Sequence, residues 1–259
     1  MYLYIIVALV IVVAVAALVL SVPKASGTKL TSYDGQLVPS SLLSMLSIPN
    51  NVSSTVGIGV ASKEIMPLSG PVLRINGKPE ILYIGADYCP FCAAERWPMV
   101  IALMRFGTFT DLKYMTSDPN DYAPSSPTFT FYNSTYMSQY ISFVSVEETT
   151  NNRSVLQQPN ASELYLFSKY NPSGEIPFIL FANRTFWNSA SYDPESVLDG
   201  KNWTQIATLL KNTSSVQSQA IVGAANLMTA QICAIDNNTP SSVCSQQYVK
   251  KLENSIGQA

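Results

Sequence analysis

The chain opens on an unbroken apolar run. Its first 22 residues, MYLYIIVALVIVVAVAALVLSV, contain no charged side chain. As a helix, residues 2–20 would rise about 28 Å, close to the hydrocarbon thickness of a bilayer. The run exceeds the apolar part of a signal peptide, no basic segment precedes it, and the following SVPKASG is a poor cleavage site. A retained transmembrane anchor over residues 1–22 is therefore expected, with a cleaved signal peptide as the alternative. Residues 23–38 have no apolar period and read as a polar linker.

From residue 39 the pattern becomes that of a folded body. SSLLSMLS, residues 40–47, predicts a short amphipathic helix with Ser40 or Ser41 near its N-cap, ended by Pro49. VLRINGKPEILYIGA, residues 72–86, reads as strand, turn, strand about Asn76-Gly77. ILYIGA is apolar at nearly every position, as in a strand buried on both faces. A helix follows from Pro90, since proline in a first turn sacrifices no hydrogen bond. Met99, Val100, Leu103, Met104 and Phe106 continue it, Pro98 is a kink, and Gly107 is a C-terminal stop. LKYMTS, residues 112–117, reads as the next strand, and strand–helix–strand of this length implies parallel pairing.

Residues 118–160 interrupt that order. TFTFYNSTYMSQYISFVSV alternates in two runs about a turn and predicts a β-hairpin insertion. ASELYLFSKY, residues 161–170, reads as a helix capped by Asn160. PFILFANRTFW, residues 177–187, is a strand pair folded about Asn183-Arg184. WTQIATLLKN, SVQSQAIVGAANLMTAQICAI and SSVCSQQYVKKLENSI are amphipathic helices. The expected organisation is a domain over 39–212 with an insertion at about 118–170, then a helical extension over 213–259 packed on it.

Composition narrows the class. The chain is 47% hydrophobic and 12% charged, with net charge −2; that is about half the usual charged share. No basic stripe is present, which excludes nucleic acid as a partner. A neutral, Ser/Thr/Asn-rich surface fits a secreted or surface protein. It also fits an acid medium, in which carboxylates are largely protonated. Lys24 and Lys29 follow the apolar run and by the positive-inside rule would place the body in the cytoplasm, but two lysines are a weak signal. Glycosylation acceptor patterns begin at Asn51, Asn133, Asn152, Asn160, Asn183, Asn202, Asn212 and Asn237. About three would arise by chance. The excess, with the cysteine usage, places the body outside.

There are four cysteines and no histidine. Cys89 falls at the junction of a buried strand and a helix. A helix N-terminus carries partial positive charge and free N–H groups, which hold a thiol below its ordinary value of about 8.5. Cys92 lies one turn inside and is expected to be less exposed. The outer sulfur would attack and the inner one would resolve the mixed disulfide. A zinc site would need Cys233 and Cys244 as well, in an irregular spacing, so no metal is expected. An inert structural disulfide is the serious alternative. Asp87, Glu95 and Arg96 flank the pair and are candidates for tuning the thiol. The plainer reading makes the two acids surface charges, with Arg96 pairing Glu95.

YIGADYCPFCAAERW followed by GEIPFILF resembles the thioredoxin-like superfamily. The resemblance implies a central mixed sheet flanked by helices, with the CxxC opening a kinked helix. It also implies a cis proline, here Pro177 after Ile176, that packs against the cysteines. Ile176 and Pro177, with Pro90 and Phe91, would then shape the substrate groove. The anchor, the CPFC region, PTFTFYNSTYMSQYISFVSVE and QICAIDNNTPSSVC together look like an uncharacterised archaeal family, domain of unknown function nine-two-nine. That likeness runs through nearly the whole chain after the linker. It implies a thioredoxin-like fold and an archaeal host, an acidophile among the alternatives; it supplies no substrate. The sequence departs from thioredoxin in having Pro90-Phe91 between the cysteines, nearer to glutaredoxins and periplasmic oxidases. Tyr83 also stands where thioredoxin has a buried acid.

Cys233 and Cys244 bracket a loop between two helices and would clip a helical hairpin, worth on the order of 2–3 kcal/mol. Of the pairings that four cysteines allow, only 89–92 with 233–244 is compatible with a working CxxC. The expected function is a membrane-anchored extracytoplasmic thiol–disulfide oxidoreductase acting on cysteines of surface or secreted proteins. Its redox partner is unidentified and it needs no cofactor. The alternative is a glycosylated surface binding or structural module with an inert disulfide. Acid opposes the first reading: near pH 3 a thiol with a pKa of about 5 is only about 1% ionised.

Overall fold

The computed structural model describes residues 30–62 and 65–256. The anchor expected over residues 1–22 lies outside them. Among the described residues the strands run, in chain order, as β1 (Met66–Pro67), β2 (Arg74–Ile75), β3 (Lys78–Gly85), β4 (Gly107–Thr110), β5 (Lys113–Thr116), β6 (Pro127–Thr130), β7 (Thr135–Ser138), β8 (Ser142–Glu147), β9 (Phe178–Phe181) and β10 (Thr185–Asn188). The helices are α1 (Ser40–Leu46), α2 (Asn50–Val56), α3 (Pro90–Met104), α4 (Ala161–Tyr170), α5 (Pro194–Leu198), α6 (Trp203–Leu209), α7 (Gly223–Ile235), α8 (Ser241–Cys244) and α9 (Gln247–Ile256).

The apolar run in β3 sets the architecture. Ile81–Gly85 are all buried, which requires cover on both faces. β3 pairs antiparallel with β9 and β2 and parallel with β8, in a mixed sheet of order β1-β10-β9-β3-β2 with β8 also on β3. Alternate side chains go to opposite faces. Ile81 and Tyr83 join Trp97 and Val100 of α3 and much of α7 in the larger core. Leu82 and Ile84 face Leu166, Phe167 and Tyr170 of α4. The hairpins at Asn76-Gly77 and Asn183-Arg184 stand where the turn residues place them. Asn76, Gly77, Ala182 and Asn183 adopt the positive φ that such turns demand.

Three expectations are corrected. The strand parallel to β3 is β8, not 112–117; β5 pairs antiparallel with β6 in a separate sheet. The hairpin expected over 128–146 does not form, because its two halves pair outward: β6 with β5, β7 with β4. Gly107 is not a helix stop. It opens β4, where a Cβ would lie 2.3 Å from the Met137 carbonyl oxygen. Two further details differ: α2 had no sequence signal, and α1 is capped by Pro39 without a side-chain bond. Residues 30–38, the end of the polar stretch, lie against β5 through Gly35 N–H to Tyr114 O and Val38 N–H to Leu112 O.

Residues 218–235 form one apolar helical stretch, a π-helical turn (Ser218–Val222) followed by α7. It is long and apolar enough to cross a membrane by composition, but 89% of it is buried inside the protein. The turn at 57–61 presses on it: a Cβ on Gly223 would meet Ile58 O at 2.1 Å, and one on Gly59 would meet Gln219 O at 2.0 Å. Cys233 and Cys244 are joined, with Cα atoms 5.6 Å apart, and clip α7 to α8.

The glycosylation patterns acquire a second explanation. Asn160 and Asn202 are N-caps of α4 and α6, each in a reciprocal capping box. Asn133, Asn183 and Asn237 take left-handed backbone conformations, which asparagine tolerates better than most residues. Asn212 accepts from Ser214 N–H in a local turn. Much of the asparagine excess is thus turn and cap chemistry. Asn183 is 7% exposed and its amide nitrogen donates to Pro71 O at 3.2 Å, leaving no path for a glycan.

Two outcomes are expected. Gly107→Ala should lower stability by about 1–3 kcal/mol, read as a lower urea midpoint with unchanged slope. In a glycosylating host, peptide mass mapping should find Asn183 unmodified, whereas exposed Asn51 and Asn212 can carry a glycan.

Candidate functional site

β3 ends at Gly85, and four residues later the chain turns into α3. Cys89 is the N-cap residue of that helix, and its sulfur accepts the Cys92 backbone N–H at 3.3 Å. Pro90 follows in the first turn, where no N–H is needed. The Cys89 thiol also lies 3.8 Å from the Ile176 carbonyl oxygen. The Ile176–Pro177 peptide is cis. Cys89, Cys92 and Ala86 form a small cluster flanked by Tyr88 and Ile176. Phe91, half-exposed, stacks on Tyr122 from the 118–126 loop with ring centroids 5.9 Å apart.

The two sulfurs differ in their surroundings. The Cys92 thiol hydrogen bond lowers the Cys89 pKa and outweighs burial; the Cys92 and Phe91 N–H groups and Arg96 add to the lowering. Burial pushes Cys92 well up, and neighbouring Cys89 adds to that. Both thiols are free. Cys92 is fully buried and Cys89 is 5% exposed. The outer sulfur is therefore the more accessible one, but by a narrow opening rather than an exposed ledge.

The flanking charges are not surface groups. Asp87, Glu95 and Arg96 are all buried. Arg96 does not pair Glu95. Its Nε and Nη2 donate to the two carboxylate oxygens of Glu147 at 2.9 and 2.6 Å, and Nη2 also donates to Ala86 O at 2.7 Å. Asp87 lies 3.6 Å from the same guanidinium. Glu95 turns the other way and accepts from the Ser191 N–H at 2.7 Å and hydroxyl at 2.8 Å, tying α3 to the 189–193 loop. Tyr83 is fully buried under Arg96, with the guanidinium 5.8 Å from its ring centroid. Its hydroxyl occupies the space beside Gly85, 2.1 Å from where a Cβ would be. Burial raises its pKa well above the ordinary value, so it stays neutral beneath the cysteines.

Burial also raises Asp87 to about 7, assisted by Glu147 and opposed by Arg96. Asp34, reaching in from the N-terminal segment, is raised to about 6 by burial against the bonds it accepts from Thr116 and Asn151. Sequence reasoning did not find Asp34, Tyr88, Tyr122, Glu147 or Arg153. Glu147 had one usable signal: a carboxylate closing the apolar alternation of FVSVE asks for a buried cation. The others stand on loops whose mutual approach no local pattern encodes. Among the described residues no group of three His, Cys, Asp or Glu is placed to hold a metal ion.

Residues 65–173 match the model of a domain of unknown function, DUF929. This supports membership of that stretch in an uncharacterised domain family. It contains the cysteine pair, Arg96 and Glu147, and ends before Pro177 and the C-terminal disulfide, short of the likeness read from the sequence. No curated protein and no solved structure matches the chain.

The buried carboxyls give a signed pH prediction. Asp87 and Asp34 bind protons more tightly folded than unfolded, where their value is near 3.8. Their contribution is complete below 3.8 and is lost as pH rises through about 6 and 7, because in that window the unfolded chain binds fewer protons. The thermal midpoint should fall between about pH 4 and pH 8 by roughly 4 °C or more. Asp87→Asn should flatten that fall; an equal fall in the variant would remove Asp87 as its source.

Proposed function

We propose that this chain is a thiol–disulfide oxidoreductase acting on cysteines of other proteins, held at a membrane by residues 1–22 with its body outside the cytoplasm. The observation that carries the reading is the asymmetry of the pair: Cys89 caps a helix with its pKa lowered, while Cys92 is sealed with its pKa raised. The same reading takes the mixed sheet, the CxxC at the start of α3 and the cis Ile176–Pro177 bend as a thioredoxin-like arrangement. The substrates are surface or secreted proteins bearing cysteines, and no cofactor takes part.

In the reducing direction the Cys89 thiolate attacks one sulfur of a substrate disulfide. A Cys89–substrate disulfide forms and the other substrate sulfur leaves as a thiolate, which takes a proton. Cys92 then loses its proton and attacks the Cys89 sulfur. The Cys89–Cys92 bond forms, the first substrate sulfur leaves, and two electrons have passed from the pair to the substrate. The oxidising direction is the reverse of each step. Pro90 and Phe91 on one side and Ile176 and Pro177 on the other would guide the substrate chain toward the sulfur.

One observation favours the other reading, a surface module with an inert pair: Cys89 is only 5% exposed. Trapping separates the two. Cys92→Ser, mixed with an unfolded disulfide-bonded protein, should accumulate covalent complexes that a reductant releases, and Cys89→Ser should form none. If Cys92→Ser captures nothing, the exchange reading is wrong.

A further inference from the structure

Cys89 is reactive by position yet nearly closed to solvent, so something adjacent must govern its access. Tyr88 packs against the small cluster of Ala86, Cys89 and Cys92. Its outer side carries the Arg153 guanidinium, 4.0 Å from the ring centroid, well inside cation–π range. Arg153 Nε donates to Asp118 at 2.9 Å and Nη2 donates to Asp121 at 2.6 Å. Asp118 in turn donates its backbone N–H to Tyr88 O at 2.9 Å. On the other side Asp87 N–H donates to Thr149 O at 2.9 Å. Arg153 itself sits in a tight turn, at φ +65, closed by Thr150 N–H to Ser154 O at 2.8 Å and by a Thr149–Val155 bridge. Segments 87–89, 118–121 and 149–155 thus form a closed ring with Tyr88 at its inner edge.

We infer that Arg153 is a positioning residue that latches Tyr88 over Cys89 and thereby sets how often the sulfur is open to a partner. Magnitudes make this a latch rather than a wall. The Arg153 side chain is 52% exposed and its acidic partners are 12% and 29% exposed. With Arg153 half in water, its pair with the more exposed Asp121 is individually weak and screened by salt, and Asp118 is the more sheltered of the two partners. The Arg96–Glu147 pair beneath has no exposure on either side and stays shut. Opening can therefore occur by release of Arg153 and movement of Tyr88 while α3, Cys92 and the sheet hold their positions. The consequence for function rests on the proposed thiol exchange, whereas the latch itself concerns access alone.

The test is the rate at which neutral iodoacetamide labels Cys89 in the full chain, mildly reduced, with the labelled residue mapped by mass spectrometry. Arg153→Ala should label roughly five-fold faster or more, the size of change that follows from losing a contact of this strength. Arg153→Lys keeps the charge but loses the two-pronged geometry, and should fall between. Wild-type labelling should speed up from low salt to about 1 M salt, and Arg153→Ala should show no such rise. Equal rates in wild type and Arg153→Ala would overturn the latch. So would a faster rate that climbs with global unfolding in sub-denaturing urea. If Arg153→Ala labels faster but Cys92→Ser traps no substrate, the latch stands and the exchange reading falls. The opposite pair of results keeps exchange and removes the latch.

Discussion

The bidentate pairing of Arg96 with Glu147 is the interaction on which the site depends. The residues are 51 positions apart and neither is exposed to water. Glu147 closes β8 opposite Gly85, the last residue of β3, and Arg96 stands on the second turn of α3. The pair therefore fixes where the helix begins relative to the ends of two parallel strands. Phe131 N–H also donates to Glu147 at 3.3 Å, so the chain just past β6 is held by the same carboxylate. Removing two charges from water costs several kcal/mol per ion, and two parallel charge-assisted bonds are the geometry best able to offset it. Losing one partner would strand the other, at a cost of about 3–5 kcal/mol. Because Cys89 caps the helix so placed, its approach to the Ile176 carbonyl is set by this contact and not by the cysteines.

A second consequence is a division of charge by depth. The inner layer of Asp87, Arg96 and Glu147 is closed and defines geometry. The outer layer is wetter: Arg153 and Asp121 reach water, while Asp118 is largely buried beside them. Between them lie the two cysteines and the Tyr88 ring. A protein with only 12% charged residues has put several of them around its cysteine pair.

Several local signals in the sequence agree with the structure, although the helix stop expected at Gly107 and the cap expected at Ser40 or Ser41 do not. The apolar run of β3, the strand–helix junction at Cys89, the Asn160 cap of α4 and the β9–β10 turn at Asn183 are among those that agree. Pairings between distant stretches were not legible. Alternation in 128–146 marks strands but cannot say that β6 belongs to β5 and β7 to β4. The parallel place beside β3 is taken by β8, whose end carries Glu147 to Arg96, a match visible only in three dimensions. Of the site, the cysteines and the Ile176-Pro177 bend were legible, and the burial of Asp87, Glu95 and Arg96 was not. An acid beside a cation reads as surface until its partner across the fold is known. The asparagines carry two meanings at once: several acceptor patterns also supply turn and cap chemistry.

Fold and chemistry pull in opposite directions with pH. Asp87 and Asp34 are easier to bury neutral, so acid favours the folded state. The Cys89 thiolate, in contrast, is favoured by base, and acid depletes it. Two features reduce the conflict. The Cys92 thiol and the Cys92 and Phe91 N–H groups lower the Cys89 pKa against its burial. Arg96 keeps its charge across this range: burial opposes it, but Glu147, Tyr83 and Asp87 hold its pKa above the already high ordinary value. Protonating Asp87 removes a negative charge near Arg96 and leaves the guanidinium field freer to act on the Cys89 sulfur.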